Sequence, residues 1–293
     1  MTEVQPGILA AVPRLARYLF FVLRPEADVR SALRKLSDLA DGDRTVVGLG
    51  RSLTLALGHE IDGLATFPCH PGARIEVAAT PFALWCWLRG DDRGELVLRS
   101  TLIEKALAGA LSLHQTIDAF QYGSGRDLTG YEDGTENPMG DAAVGAALVR
   151  GQGSGFDGAS FVAVQQWRHD FDSFESMTGE EQDLAIGRRK SDNEELDDAP
   201  PSAHVKRTAQ ESFDPEAFVL RRSMPWADDS AAGLMFVAFG KSFAAFEAQL
   251  RRMVGAEDGI ADALFKFTRP VSGAYFWCPP MKGPHIDLSA LGL

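Results

Sequence analysis

The order of strand-like and helix-like patterns in the first half of the chain limits the fold more than any other feature. Residues 16–24 (ARYLFFVLR) predict a strand, and apolar residues at helical spacing follow it as far as Gly42. Strands are also predicted over 45–49, 82–88 and 116–122, with a helix over 92–109 before the last of them. The inner face of that helix is predicted to comprise Leu98, Leu102, Ile103 and Leu107. The order is strand, helix, strand, strand, helix, strand.

The second half of the chain repeats this order. Strands are predicted over 159–168, 218–222, 233–239 and 272–277, and a helix capped by Ser242 precedes the last of them. Two such units in tandem are typical of paired ferredoxin-like modules with antiparallel sheets. We therefore predict an α+β fold with modules at 1–145 and 146–293. The halves share this pattern but no residue-level repeat.

Two stretches fit neither module. Residues 123–158 are rich in Gly, Asp, Asn and Pro, and residues 170–201 are densely charged and mostly acidic. Solvated loops are one reading of such stretches. Long loops in compact domains are uncommon, however, and they are often functional. We expect the first to be an irregular connection, and the two stretches flank the residues that could carry chemistry.

Charge and cysteine usage exclude several classes of function. The net charge of −12 argues against a nucleic-acid or anionic-membrane surface. Cys69, Cys86 and Cys278 form no C-x-x-C pair, so they lack zinc or iron–sulfur spacing, and they fit a reducing compartment. No segment approaches the roughly 18 uncharged apolar residues that span a bilayer. We expect a cytoplasmic protein with no membrane or nucleic-acid partner.

Acids and histidines mark the first candidate sites. In GYEDGTENP (130–138), Glu132 and Asp133 precede a glycine, which is compatible either with an Asx-type turn or with a ligand site. The six histidines show no paired metal-ligand spacing, but one histidine suffices as an axial haem ligand. His204 in SAHVKR and His169 in WRHD are the rival candidates.

LRRSMP (220–225) is the third candidate. Arginines that end a strand, with Ser223 close behind, could bind an anion or polarise an oxygen ligand. A surface ion pair on an edge strand is the alternative.

Together these motifs resemble the dye-decolourising peroxidases. GYEDGTENP is similar to the family's G-x-x-D-G motif with its T-E-N-P continuation. In the family's order there follow VQQWRHDFDSF, AIGRRKSDNEE, SAHVKR, LRRSMP and KFTRPVSGAYF, so that the resemblance covers residues 18–279. It is strongest to the smaller bacterial, cytoplasmic branch. It implies paired ferredoxin-like modules, with haem b held mainly by the second, and a peroxidase that reduces H₂O₂ and oxidises dyes or other aromatic reductants in one-electron steps.

The resemblance also implies roles for individual residues on the cofactor side. His204, rather than His169, matches the axial iron ligand. Asp262 is expected to accept a hydrogen bond from the other ring nitrogen of His204, because axial histidines usually donate to a carboxylate or carbonyl. Arg188 in IGRRK is expected to bind the haem propionates.

On the peroxide side, Asp133 matches the distal aspartate and Arg221, rather than Arg222, the distal arginine, with Ser223 beside it. Since the ordinary pKa of an aspartate is about 3.9, we expect dye turnover to be fastest on the acid side of neutrality. Residues that could relay electrons from bulky reductants are Trp167, Trp226, Trp277 and Tyr275; packing in the core is the alternative for each.

Three other functions compete with the peroxidase. One is a haem-binding protein for storage, delivery or iron release without physiological turnover. The second is a ferredoxin-like regulatory or oligomerisation module with no haem, and the third a hydrolase built on Glu132 and Asp133, which lacks a nucleophile or metal cluster. We also expect a homo-oligomer. Residues 284–293 (PHIDLSALGL) could dock into a protein nanocompartment, or they could simply be packed or disordered.

Overall fold

The computed structural model describes residues 4–25 and 27–293. The strands are β1 Leu15–Leu23, β2 Thr45–Leu49, β3 Leu84–Gly90, β4 Leu111–Phe120, β5 Ser160–His169, β6 Leu220–Arg221, β7 Met224–Ala227, β8 Ala232–Gly240, β9 Thr268–Pro270, β10 Ala274–Cys278, β11 Met281–Lys282 and β12 His285–Ile286. The α helices are α1 Pro6–Leu9, α2 Val29–Leu39, α3 Arg51–Ala56, α4 Arg93–Leu107, α5 Gly140–Ala147, α6 Phe171–Glu175, α7 Gly179–Ile186, α8 His204–Thr208 and α9 Ala244–Met253. The predicted α+β class is confirmed.

The main sheet closes on itself. Its 10 strands have the order β6-β8-β7-β4-β1-β3-β2-β10-β5-β9, and a further pairing joins β5 to β8. All its pairings are antiparallel. Strands β8, β7, β4, β1, β3, β2, β10 and β5 therefore form a ring. Each seam between the two halves has a single residue pair, Leu49 with Trp277 and Ala119 with Trp226.

Side chains alternate between the inside and the outside of this ring, as the pleat requires. On β1, Tyr18 and Phe20 belong to the apolar cluster that fills the ring. Leu19 and Phe21, on the other face, belong to the cluster that includes the buried residues of α2 and α4. Both faces of the strands are covered, which explains why the strand sequences are almost continuously apolar.

Helix α9 covers the outer face of the second half. Phe243, Phe246, Leu250 and Met253 are buried there at the helical spacing that the sequence predicts. Outward-facing side chains of β5 and β8, including Trp167 and Phe236, lie in the same cluster. The space between this sheet face and the helices holds the candidate site.

The predicted inner face of α4 is partly wrong. Leu98 is 69% exposed and Leu102 is 54% exposed, whereas Ile103 and Leu107 are buried as predicted. The buried face runs instead through Leu96, Ser100, Ile103 and Leu107. Apolar residues of α4 itself lie on several sides of the helix, so their periodicity alone does not predict which side packs against the sheet.

Helices lie both in the acidic stretch and in the stretch predicted to be irregular. Helices α6 and α7 lie within 170–201, and α7 begins with a capping box between Thr178 and Glu181. It ends at Gly187, which adopts φ +88°. In the first stretch, α5 spans the predicted module boundary between residues 145 and 146.

The last residues of the chain are packed against its first half. Leu288 and Leu291 are buried, and the carbonyl of Gly292 accepts a hydrogen bond from Arg30 at 3.2 Å. Throughout residues 4–25 and 27–293, no helix combines the length and apolar character that crossing a membrane requires.

Candidate active site

A cavity that is partly open to solvent lies between the outer face of β5 and β8 and helices α8 and α9, with about 900 Å³ of space not filled by protein atoms. Much of its wall is apolar, formed by Ile186, Leu234, Phe236, Phe246, Leu250, Met253, Leu264 and Phe267. The titratable side chains on the wall are Asp127, Tyr131, Glu132, Asp133, His169, His204 and Arg221. All six motifs that carry the family resemblance contribute residues to this wall.

His204 begins α8 and is oriented by a buried carboxylate. Its Nδ1 lies 2.8 Å from Oδ2 of Asp262, whose side chain is fully buried. The backbones of the two segments are also joined, because the N–H of Ala263 donates to the carbonyl of Ser202 at 2.8 Å. Because an ionised carboxylate only accepts hydrogen bonds, Nδ1 is the donor in this contact, and in the neutral imidazole Nε2 keeps its lone pair. Among the described residues, Nε2 of His204 has no hydrogen-bond partner.

His169 lines the same cavity, but both of its ring nitrogens are used. Nε2 lies 2.9 Å from Asp127 and Nδ1 2.8 Å from the hydroxyl of Thr268. Asp127 also accepts hydrogen bonds from the N–H and hydroxyl of Thr129 at 2.9 and 2.6 Å. Burial acts to raise the pKa of Asp127, but the bonds from His169 and Thr129 outweigh it and lower that pKa. This histidine connects the loop after β4 to β5.

Asp133 and Arg221 form an ion pair elsewhere on the wall. Their Oδ1 and Nη1 atoms are 3.5 Å apart, and both side chains are mostly buried. A second cavity of about 750 Å³ is also lined by Asp133 and Arg221 but not by His204. The ion pair therefore lies where the two cavities adjoin, on a different part of the wall from the imidazole.

Arg222 and Ser223 lie beside Arg221 without lining the main cavity. The Arg222 guanidinium donates to the carbonyls of Arg221 and Leu9 at 3.0 and 2.8 Å. Burial, helped by the charge of Arg89, lowers the pKa of Arg222 to about 10. Ser223 lines the second cavity, and its buried hydroxyl has no hydrogen-bond partner in the described part of the chain.

Arg188 is engaged with acids of the chain itself. Its guanidinium lies 2.6 Å from Glu136 and 3.4 Å from Glu195, and it also donates to the carbonyl of Asn193 at 3.0 Å. It is not among the residues that line the cavity. Binding of a propionate by Arg188 stays a prediction, and it would require a carboxylate of the cofactor to replace that of Glu136.

The four predicted relay residues are placed differently. Trp167 lines the cavity, and Tyr275 contacts Phe246, which lines it too, at a ring distance of 5.9 Å. Burial and the charge of Glu247 raise the pKa of Tyr275. Trp226 and Trp277 are buried within the protein and do not line the cavity. Their role in electron transfer stays a prediction.

Sequence reasoning missed three groups that organise the site. Asp127 and Thr268 satisfy His169, and Asn137 bonds to the backbone of Arg221. The first two lie 42 and 99 residues from His169, so no local spacing could reveal them. Asn137 lies within GYEDGTENP, where its position before Pro138 predicts an extended backbone, but no local pattern connects it with Arg221.

The donor set fits a planar iron cofactor. An apolar cavity suits a macrocycle, and the unpartnered Nε2 of His204 is available to an axial position of iron. Gln165 also lines the cavity, and its buried Nε2 has no partner among the described residues, so a ligand could supply one. The fold and site thus define an α+β haem-binding enzyme.

The comparisons with known proteins agree. The family model described as Dyp-type peroxidase, C-terminal, matches residues 124–283. A dye-decolorizing peroxidase of Rhodococcus erythropolis is 32% identical over 301 residues, which cover 95% of this chain and 87% of the relative. One of Mycobacterium tuberculosis is 31% identical over 271 residues, covering 87% and 81%. The chain therefore belongs to the dye-decolourising peroxidase family.

Solved structures extend this likeness to the fold. A dyp-type peroxidase protein from Shewanella oneidensis superposes with a TM-score of 0.88 at 27% identity, covering 99% of this chain and 98% of that one. DypB from Rhodococcus jostii gives 0.85 at 26% identity, covering 93% and 94%, and variants of DypB have been solved in complex with heme. The encapsulated DyP-type peroxidase of Mycobacterium smegmatis gives 0.85 at 27% identity, covering 96% of each chain.

Proposed function

We propose that this protein is a haem-dependent peroxidase that reduces H₂O₂ and oxidises dyes or other aromatic reductants in one-electron steps. The observation that carries the proposal is the pairing of His204 with Asp262 in the wall of the 900 Å³ cavity. It leaves Nε2 free and directed by a fixed ring, which is what an axial ligand requires. The haem-containing structures of DypB support the same cofactor.

His204 would hold haem b through Nε2, with Asp262 as the acceptor for Nδ1. Bound haem supplies the redox-active iron at which the peroxide oxygen–oxygen bond is cleaved. A carboxylate on Nδ1 makes the imidazole a stronger electron donor to a metal. Arg188, in the segment between α7 and α8, would bind a propionate through its positive charge.

Asp133 and Arg221 would serve the peroxide. Arg221 stabilises the negative charge that develops on the departing oxygen, and a preorganised donor of this kind typically contributes roughly 2.7–4 kcal/mol. Asp133, 3.5 Å from that guanidinium, can take a proton from one peroxide oxygen and return it to the other. Ser223, whose hydroxyl lacks a partner among the described residues, would bind a water or the peroxide from the second cavity.

The two halves are proposed to be tandem ferredoxin-like modules, at 1–145 and 146–293, with haem held mainly by the second. The strand orders support this: β4-β1-β3-β2 in the first half and β10-β5-β8-β7 in the second place equivalent strands in equivalent positions. Most residues that line the cavity belong to the second half, while Asp127 to Asp133 come from the connection before it.

A cytoplasmic location and a homo-oligomer are also proposed. Unpaired Cys69, Cys86 and Cys278 support a reducing compartment. The exposed Leu98 and Leu102, one turn apart on α4, support burial against another copy. A nanocompartment shell is a partner by analogy with the encapsulated relative, but the packed residues 284–293 are not free to dock in this conformation.

The test is the absorption spectrum of the haem-reconstituted protein beside its His204→Ala variant, followed by steady-state turnover of a dye with H₂O₂. We expect a Soret band and turnover for the wild-type protein, and loss of the axial ligand and of turnover for His204→Ala. His114→Ala changes an exposed histidine of β4 and should behave as wild type.

Two outcomes contradict the proposal. Haem binding without dye turnover would favour storage, delivery or iron release. A wild-type protein that shows no Soret band after expression with ample haem would favour a haem-free module.

A further inference from the structure

The side-chain amide of Asn137 is hydrogen-bonded at both ends to the backbone of Arg221. The N–H of Arg221 donates to Oδ1 at 2.8 Å, and Nδ2 donates to the carbonyl of Arg221 at 3.1 Å. Strand β6 stands at the end of the sheet order and, within residues 4–25 and 27–293, pairs only with β8, so no described strand lies beside the outward N–H and C=O of Arg221. The side chain of Asn137 makes the two backbone hydrogen bonds with Arg221 that a neighbouring strand would otherwise make, and Arg221 lines the cavity.

The turn that carries Asn137 begins directly after Asp133. The N–H of Asn137 donates to the carbonyl of Gly134 at 3.0 Å, while the N–H of Asp133 donates to the carbonyl of Gly125 at 3.1 Å. Gly134 has φ +77°, and a Cβ there would lie 2.8 Å from Nδ2 of Asn137. Only glycine therefore suits both the backbone and the space that the amide occupies. The turn fixes Asp133 and Asn137 relative to each other.

Two links thus join the same two segments. The amide of Asn137 holds the backbone of Arg221, and the carboxylate of Asp133 lies 3.5 Å from its guanidinium. We propose that Asn137 is a positioning residue that sets the geometry of the Asp133–Arg221 pair and, through Arg221, the rate of the peroxide reaction. This inference rests on the proposed function and adds a residue to it.

A second amide makes the same pair of bonds far from the site. Oε1 of Gln5 accepts from the N–H of Val47 at 2.7 Å, and Nε2 donates to the carbonyl of Val47 at 2.9 Å and also to that of Pro279 at 2.9 Å. None of these residues lines the cavity. Gln5→Ala therefore removes a backbone clamp of the same kind, together with the bond to Pro279, without touching the charged pair, and it is the control.

The experiment uses the haem-reconstituted full chain. The variants are Asn137→Ala, the isosteric Asn137→Asp, Gln5→Ala, Arg221→Leu and the double variant of Asn137→Ala with Arg221→Leu. We expect kcat/KM for H₂O₂ to fall about 10- to 100-fold in both Asn137 variants, because small misplacements of a catalytic group have effects of this size. KM for the dye should stay unchanged. The double variant should be no slower than Arg221→Leu alone, and Gln5→Ala should keep the wild-type rate.

Hydrogen exchange of the peptide that contains Arg221 gives a readout independent of turnover. Exchange there should be faster in Asn137→Ala than in wild type and unchanged in Gln5→Ala. Additive losses in the double variant, or an Arg221 peptide that exchanges at the wild-type rate, would overturn the inference. So would wild-type kcat/KM in both Asn137 variants. A wild-type protein that binds haem but has no turnover would instead overturn the proposed function.

Discussion

The Asp262→Asn variant tests whether the buried carboxylate keeps the proton of His204 on Nδ1 rather than on Nε2. Oδ2 of Asp262 lies 2.8 Å from Nδ1 of His204, and Oδ1 accepts from the N–H of Leu264 at 2.9 Å. Asparagine keeps the size of the side chain and the acceptor for Leu264. It presents an NH₂ group to Nδ1, however, and two donors cannot bond. The imidazole must then carry its proton on Nε2, the atom proposed to bind iron.

The size of the effect follows from this change of tautomer. Loss of a partner that orients a metal ligand typically costs 10- to 100-fold in affinity, or about 1.4–2.7 kcal/mol. The apoprotein should lose less, about 1 kcal/mol or below, because the amide still donates to the unprotonated Nδ1 of His204. Haem affinity and apoprotein stability are therefore expected to separate in Asp262→Asn.

Titration of the apoprotein with haem, followed at the Soret band, measures the first quantity, and thermal unfolding followed by circular dichroism the second. Asp28→Asn is the matched control, since Asp28 caps α2 by accepting from the N–H of Ser31 at 3.1 Å and lies outside the cavity. Wild-type haem affinity in Asp262→Asn would refute the reasoning, and so would an equal loss in Asp28→Asn.

Two further changes test the distal pair and the second histidine. Arg221→Leu should lower kcat for peroxide-driven dye oxidation about 10²- to 10³-fold, because one preorganised donor is lost, while haem binding persists. Steady-state kinetics measures this, and a wild-type kcat in the variant would contradict the prediction. The lowered pKa of Asp127 stabilises the folded protein, and Asp127→Asn should lose this contribution. The contribution is fully present above the pKa of an aspartate in the unfolded chain, about 3.9, and it disappears as the pH falls through the lower pKa of the folded state. Urea unfolding at several pH values should therefore show the variant and wild type converging in acid, and a constant difference between them would argue against an ionised Asp127.

The elements of the first half were predictable because each has a strong local pattern. Strand β2 lies where the sequence predicts it, and helix α2 follows the spacing of its apolar residues. The exposed Leu98 and Leu102 show the limit of prediction from periodicity, because α4 has apolar residues on several sides and its sequence does not indicate which side packs. The ring closure was also beyond prediction, because each seam depends on one residue pair between distant strands.

The site was predictable only where the family resemblance reached. Periodicity offers no reason to connect His204 with Asp262, which are 58 residues apart, and their contact is set by tertiary structure. Composition similarly made Asp133 and Asn137 look like ordinary turn residues. Local sequence could not predict that the turn of GYEDGTENP, which carries Asp133, is hydrogen-bonded through Asn137 to Arg221 of an edge strand 84 residues further along the chain.

Joining the sheet into a ring has a consequence for either half alone. A polypeptide ending after β4 would lose the Leu49–Trp277 and Ala119–Trp226 pairings, and its apolar residues inside the ring would lose the cover that the second half provides. Such a fragment is expected to recruit a second copy of itself, each supplying the border that the missing half normally provides. In the intact chain, β7 and β10 lie beside β4 and β2, and the second half covers the apolar interior.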